Sequence, residues 1–226
     1  MTDRISVTQA VNQRKSIRGF LDKQVPEETV RQLLDKAARA PSGGNLQPWQ
    51  IYVLMGDRLA AFKQQMMDTI KETPMTALPE YNVYPDPMPD IYKARSRKVG
   101  ADMYELMGIA RDDKQGRMAA MGRNFNFFDA PVGMFFCIDR VLDRNQWAHF
   151  GMFAQTLSLL AIEEGLGSCM QEAWAVHHEI VAEAINMPDT QMLWMGLALG
   201  YPDPAAPVNE LETEREPVDG FAKFFK

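Results

Sequence analysis

Apolar positions recur along this chain with two signatures. A spacing of three and four residues marks one face of a helix, and a short unbroken apolar run marks a buried strand. Val7, Ala10 and Val11 give the first helical face, over 6–13, with Ser6 as N-cap. Pro26-Glu27-Glu28 opens the next helix, because proline suits the first turn and acidic residues suit the positive end of the dipole. Its stripe is Val30, Leu33, Leu34, Ala37 and Ala38. Ile51, Tyr52, Val53 and Leu54 predict a buried strand over 50–55, followed by a helix over 58–71. Five prolines between positions 74 and 89 predict a long loop. Helical patterns return over 91–106 and 114–128. Ala130-Pro131 stops the helix and introduces a second strand over 132–138. A long, mainly apolar helix over 147–164 is expected to cross the core, ended by the glycines of Gly165-Leu166-Gly167-Ser168. A short helix over 177–185, closed by Asn186-Met187-Pro188, precedes a third strand over 191–199 that ends at Gly200-Tyr201-Pro202. The tail, 203–226, is polar and proline-punctuated, with Phe221, Phe224 and Phe225 at its end.

Helices outnumber strands, and the strands lie far apart in sequence. That order favours an α+β or α/β sandwich with a central sheet. With 226 residues and no break in composition, 1–226 reads as one domain, with a proline-rich excursion at about 73–112. Net charge is −6 with no block of basic residues, which argues against a nucleic-acid partner. No apolar run is long enough to span a membrane. The first residues show no apolar core of a signal peptide, so a reducing, cytoplasmic setting is expected. Cys137 and Cys169 are the only two cysteines and lie 32 positions apart in apolar surroundings, which speaks against a disulfide framework or a zinc site. His177 and His178 are adjacent, so on a helix they diverge by about 100° and cannot share a metal. Together with His149 they read as surface or helix-end residues, and no metal is expected.

Four stretches are candidates for chemistry. In Arg14-Lys15-Ser16-Ile17-Arg18, an extended backbone would bring Arg14, Ser16 and Arg18 to one side. Two guanidinium forks and a hydroxyl suit a phosphate; the same five residues also suit a solvated turn. Pro41-Ser42-Gly43-Gly44-Asn45-Leu46-Gln47-Pro48-Trp49 offers hydroxyl, amide and backbone groups to a ligand, or is an ordinary helix-to-strand connection. The glycines in Glu164-Gly165-Leu166-Gly167-Ser168-Cys169-Met170-Gln171-Glu172 allow close approach to a flat ring. Asn124-Phe125-Asn126-Phe127-Phe128, with Trp147, Phe150, Phe153 and Trp174, supplies aromatics for stacking or for the core. No dinucleotide-binding glycine fingerprint follows a strand and no phosphate-binding Walker loop is present.

In this order, those stretches resemble the FMN-dependent nitroreductase family over nearly the whole chain. Ala130-Pro131 before a strand and Leu199-Gly200-Tyr201-Pro202 near the end add to the likeness. Phe20-Leu21-Asp22 and the proline-rich insertion resemble the branch of nitrobenzoate and dinitroaniline reductases. The resemblance implies an α+β fold: a nitroreductase-like α/β sandwich with a central, mainly antiparallel sheet flanked by helices and a dimer-swapped C-terminal tail. It implies a homodimer with FMN at the interface. Arg14, Lys15, Ser16 and Arg18 would hold the phosphate, ribityl chain or pyrimidine edge, and Arg215 would be a late phosphate ligand. Pro41, Ser42, Gly43 and Asn45 would come from the partner subunit. Gln171, Glu172 and Ala173 would lie under the ring. Phe125, Phe128 and Arg95 are expected to wall the pocket of a small aromatic substrate. Thr213 departs from the family, which often has a basic residue there. No catalytic group beyond the flavin is expected; NADH or NADPH would reduce it and a nitroaromatic would reoxidise it, in ping-pong fashion. A reductive dehalogenase, a flavin-fragmenting enzyme, an enone or quinone reductase, and a non-catalytic FMN-binding sensor remain alternatives on the same scaffold.

Overall fold

A computed structural model describes residues 5–73 and 78–226. Pro74, the first proline of the expected loop, and the first four residues of the chain lie outside the described residues.

Four strands form one sheet in the order β1-β2-β4-β3. They are β1 (Gln50–Met55), β2 (Val132–Asp139), β3 (Gly167–Gln171) and β4 (Gln191–Gly200), and every pairing is antiparallel. The expected antiparallel sheet is therefore present, with a fourth strand, β3, where the sequence predicts a glycine-rich turn. β3, Gly-Ser-Cys-Met-Gln, has no β-branched residue and only five positions, so its sequence carries no strand pattern. Pairing with β4 makes it a strand.

Side chains of β2 alternate between two cores. Val132, Met134, Phe136 and Ile138 join one cluster, while Phe135 and Cys137 join the other. The register shifts between Phe136 and Cys137, which face Met195 and Leu193 respectively. This bulge puts Trp194 and Met195 on the same side of β4, as an extra residue in one strand must.

The first core is covered by α2 (Glu27–Ala37) and α6 (Arg144–Glu163). The expected stripe on α2 is buried at Val30, Leu33 and Ala37. α6 begins three residues before its expected start because Asp143 caps it, with Gln146 completing a capping box. It ends at Gly165, whose φ of 69° is the left-handed conformation that glycine adopts without steric cost. The second core is covered by α3 (Gly56–Glu72), by the segment 123–129 and by Trp174. The expected helix over 114–128 is broken: α5 (Lys114–Gly122) gives way to a tight 3-10 turn, Arg123–Asp129. Phe127, Phe128 and Asp129 all have positive φ there, a costly backbone that the buried Phe127 and Phe128 rings hold in place.

The remaining helices are α1 (Val7–Gln13), α4 (Asp90–Leu106), α7 (His178–Ile185) and α8 (Val218–Phe221). No helix among the described residues is long and apolar enough to cross a membrane.

Candidate functional site

The site begins at the end of α1. Ser6 and Gln9 form a capping box that fixes the helix start, and the helix stops at Gln13. Arg14 then turns extended, with ψ 117°. Ser16 forms an isolated parallel bridge with Ser168 of β3, and the Ile17 N–H donates to the Ser168 carbonyl at 3.0 Å. Ile17 is buried against Gly167, where a Cβ would sit only 2.5 Å from its Cγ1. Alternation then turns Ser16 and Arg18 the other way, as the extended reading expects.

Asn209 completes this arrangement. Its Oδ1 accepts the N–H groups of Arg18 (2.8 Å) and Gly19 (3.2 Å), and its Nδ2 donates to the carbonyls of Gly19 (2.8 Å) and Asp203 (3.0 Å). The side chain is buried and satisfied at both ends. Nothing in the sequence marked this residue: its partner lies 190 positions away and only the tertiary fold brings them together.

Arg14, Lys15, Ser16 and Arg18 line one cavity of about 950 Å³, and the late Arg215 lines it with them. The structure thus unites residues from both ends of the chain. The Arg215 guanidinium donates to the Thr213 hydroxyl (2.6 Å), the Thr213 carbonyl (3.0 Å) and the Glu214 carbonyl (2.8 Å). Thr213, at the position where the family often carries a basic residue, instead helps to orient the arginine. Cys169 sits behind Ser16 and Arg18, and burial raises its thiol pKa despite the opposing effect of the Arg18 charge.

Gln171, Glu172 and Ala173 follow at the end of β3. Gln171 lies three residues beyond Ser168, about 10 Å along the strand. Its amide donates to the Asn124 carbonyl at 2.7 Å, while its buried Oε1 has no hydrogen-bond partner among the described residues. Glu172 keeps a solvent-facing side, yet desolvation raises its carboxyl pKa. The proline-rich segment lies nearby: burial, and then the Glu172 charge, raise the phenols of Tyr81 and Tyr84. The Tyr81 hydroxyl donates to the Trp194 carbonyl, and Glu80 pairs with Arg140 at 2.7 Å.

The other expected residues are dispersed. Phe128 and Arg18 line a smaller cavity of about 160 Å³ with Met103, Met107, Met121 and Asn124. Phe125 packs edge-on against Trp174 and His177. Arg95 does not join them: it pairs with Glu216 at 2.5 Å on another side of α4. Pro41, Ser42, Gly43 and Asn45 do not line the arginine cavity. Their turn lies against α6, where the Gly43 N–H donates to Nδ1 of His149 at 3.4 Å. Ser42 Oγ accepts the Gln47 N–H at 3.0 Å. His177 sits at a helix end, as the N-cap of α7, but not on the surface: it is fully buried beneath Phe125 because its apolar flanks pack on the second core. Among the described residues no group of three His, Cys, Asp or Glu side chains stands close enough to hold a metal.

A family model described as "Nitroreductase family" matches residues 11–201. The chain is 34% identical over 214 residues to a chloronitrobenzene nitroreductase of Comamonas testosteroni, covering 95% of this chain and 94% of that protein. It is 36% identical over 214 residues to a 4-nitrobenzoate reductase of Pseudomonas putida, covering 95% and 93%. Among solved structures it resembles an FMN- and NADPH-dependent nitroreductase, NfnB, of Sphigopyxis sp. strain HMH, with TM-score 0.94, 38% identity, and coverage of 98% of this chain and 100% of that one. It also resembles an FMN-dependent nitroreductase NfnB of Mycobacterium smegmatis, solved with NADPH, at TM-score 0.90 and 25% identity, covering 98% and 100%.

Proposed function

The chain belongs to the nitroreductase family, and from that premise we propose that it uses FMN and NAD(P)H to reduce nitroaromatic or similarly flat, oxidised compounds. The observation that carries this reading is the meeting of Arg14, Lys15, Ser16, Arg18 and Arg215 around one cavity. Four cations and a hydroxyl suit a phosphate bearing two negative charges. The buried, unpartnered Oε1 of Gln171 fits a polar ring edge above β3.

FMN, when bound, supplies the two-electron redox chemistry that no side chain here can perform. Arg14 and Arg215 hold its phosphate, and Lys15 and Ser16 hold the ribityl chain. Arg18 stands beside β3, where its fixed positive charge stabilises an electron-rich ring. Gln171, Glu172 and Ala173 floor the ring site. Phe125 and Phe128 wall the place where donor and acceptor bind in turn, the basis of a ping-pong cycle. Arg95, tied to Glu216, is not among these walls.

Pro41, Ser42, Gly43 and Asn45 complete the site from the partner of a homodimer. Exposed apolar residues support such a partner: Val7 on α1, and Phe221, Phe224 and Phe225 on a tail that would exchange between subunits. The whole of 1–226 would act as one FMN-binding domain with its excursion at 73–112. Its two buried, free thiols suit a cytoplasmic setting.

The test is an absorbance spectrum of the purified protein, followed by anaerobic titration with NADPH and NADH. A yellow protein should bleach, and 4-nitrobenzoate should restore its colour. A protein that takes up no FMN sinks the proposal. One that bleaches but is reoxidised only by a halophenol or quinone is one of the alternative reductases. One that never bleaches is a binding module.

A further inference from the structure

Helix α4 turns its faces to several cavities. Arg95, Lys98 and Asp102 face the tail, and Met103 and Met107 face the small cavity beside Arg18. A third face carries Arg97, Gly100, Ala101 and Tyr104 and lines a groove of about 960 Å³, shared with Arg111 and with Arg117 of α5. We propose that this groove binds the adenosine 2′-phosphate half of NADPH, and so makes the phosphorylated dinucleotide the preferred donor. The proposal rests on the functional reading above only in taking a nicotinamide dinucleotide as the reductant.

Acidic side chains outnumber basic ones, 30 to 24, and on the tail-facing side of α4 Arg95 pairs with Glu216, and Lys98 with Asp102 and Glu214. Among the described residues, Arg97, Arg111 and Arg117 have no carboxylate within ion-pair distance. Arg117 lies over the Tyr104 ring at 4.3 Å, and its buried Nε has no hydrogen-bond partner. Three guanidinium groups against one carboxylate, Glu105, leave a cationic groove. A terminal phosphate monoester, with two charges over three oxygens that accept paired N–H donors from guanidinium, satisfies them; a bare ribose does not.

The floor suits the nucleoside. A Cβ at Gly100 would meet nothing within 4 Å, so this side of the helix leaves room for a flat base beside Tyr104. Met103 and Tyr104, neighbours on α4, line the small cavity at Arg18 and Phe128 and the groove respectively, so the two open on adjacent faces of one helix about 10 Å across. An extended dinucleotide is long enough to pass over the helix and place its two ends in the two cavities.

The experiment uses the FMN-loaded enzyme and compares kcat/KM for NADPH and NADH in wild type, Arg97→Ala, Arg111→Ala and the double variant. Both side chains are exposed, so the fold should tolerate their loss. The NADPH-to-NADH ratio should exceed one in wild type and fall about tenfold for each guanidinium removed, the worth of one charge-assisted contact. Binding of 2′,5′-ADP, measured by calorimetry on the same proteins, should weaken in parallel, with 5′-AMP weak throughout. Rapid flavin reduction with an unchanged ratio in the double variant overturns the groove while leaving the reductase intact. Because 2′,5′-ADP binding needs no turnover, unchanged affinity in the double variant overturns the groove even if neither nucleotide reduces the flavin.

Discussion

At the scale of single residues, the site depends on two that have different kinds of work. Asn209 is a clamp: three hydrogen bonds hold Arg18 and Gly19 in place from the far end of the chain, and a fourth ties it to Asp203. Asn209→Ala leaves buried N–H groups without an acceptor, so urea unfolding should show a loss of about 1–3 kcal/mol. FMN affinity should fall as well, and unchanged stability would remove the clamp. Glu172 carries a carboxyl whose pKa is raised above the ordinary 4.5 by desolvation. The folded state therefore holds that proton more tightly than the unfolded chain. Its contribution is present below the unfolded value and is lost as pH rises through the raised one. Glu172→Gln should then melt higher than wild type at pH 8, with the difference vanishing by about pH 4 in FMN-saturated protein. A lower melting temperature at pH 8 would mean that the carboxylate makes a favourable contact instead. The basic pentamer could be read directly because its alternation is local. Asn209 could not, because a lone asparagine in a tail has no pattern.

At the scale of elements, close packing decided what propensity left open. Trp174 is fully buried and lies over Gly196 of β4, where any Cβ would clash with the indole. Gly196→Ala should cost about 1–3 kcal/mol through overpacking, read as a lower urea midpoint with an unchanged slope. A neutral effect would show that the indole can shift. Elements with a strong period, α2 and β2, appear where the sequence expects them. β3 and the break after α5 were hidden for opposite reasons. β3 becomes a strand only by pairing with β4 and receiving Ser16 at its other edge. The helical pattern over 114–128 continues through Phe125 and Phe128, yet burial of Phe127 and Phe128 bends the chain into positive φ. Non-local contacts outweigh a helical preference worth only a few tenths of a kcal/mol per residue.

At the scale of the whole molecule, one chain gathers only part of the proposed site. The turn holding Ser42 and Asn45 lies against α6, apart from the arginine cavity. If two chains complete each site, co-expressed Arg18→Ala and Asn45→Ala subunits should form a heterodimer with one intact site and one doubly damaged site. In the purified heterodimer FMN content should return to about half of wild type, although each variant alone binds FMN poorly; no recovery would place both residues in the same half. The sequence by itself determined a helix-rich chain with a central sheet, the cationic pentamer and the family likeness, which implied antiparallel pairing, because periodicity and short motifs are properties of neighbouring residues. Only the tertiary structure decided that Arg215 lines one cavity with Arg14, that Asn209 clamps Arg18, that Arg95 turns away to Glu216, and that Arg97, Arg111 and Arg117 share a groove. Those are contacts between residues distant in sequence or on opposed faces of one helix, and they exist only once the sheet and its two cores have fixed where each segment lies.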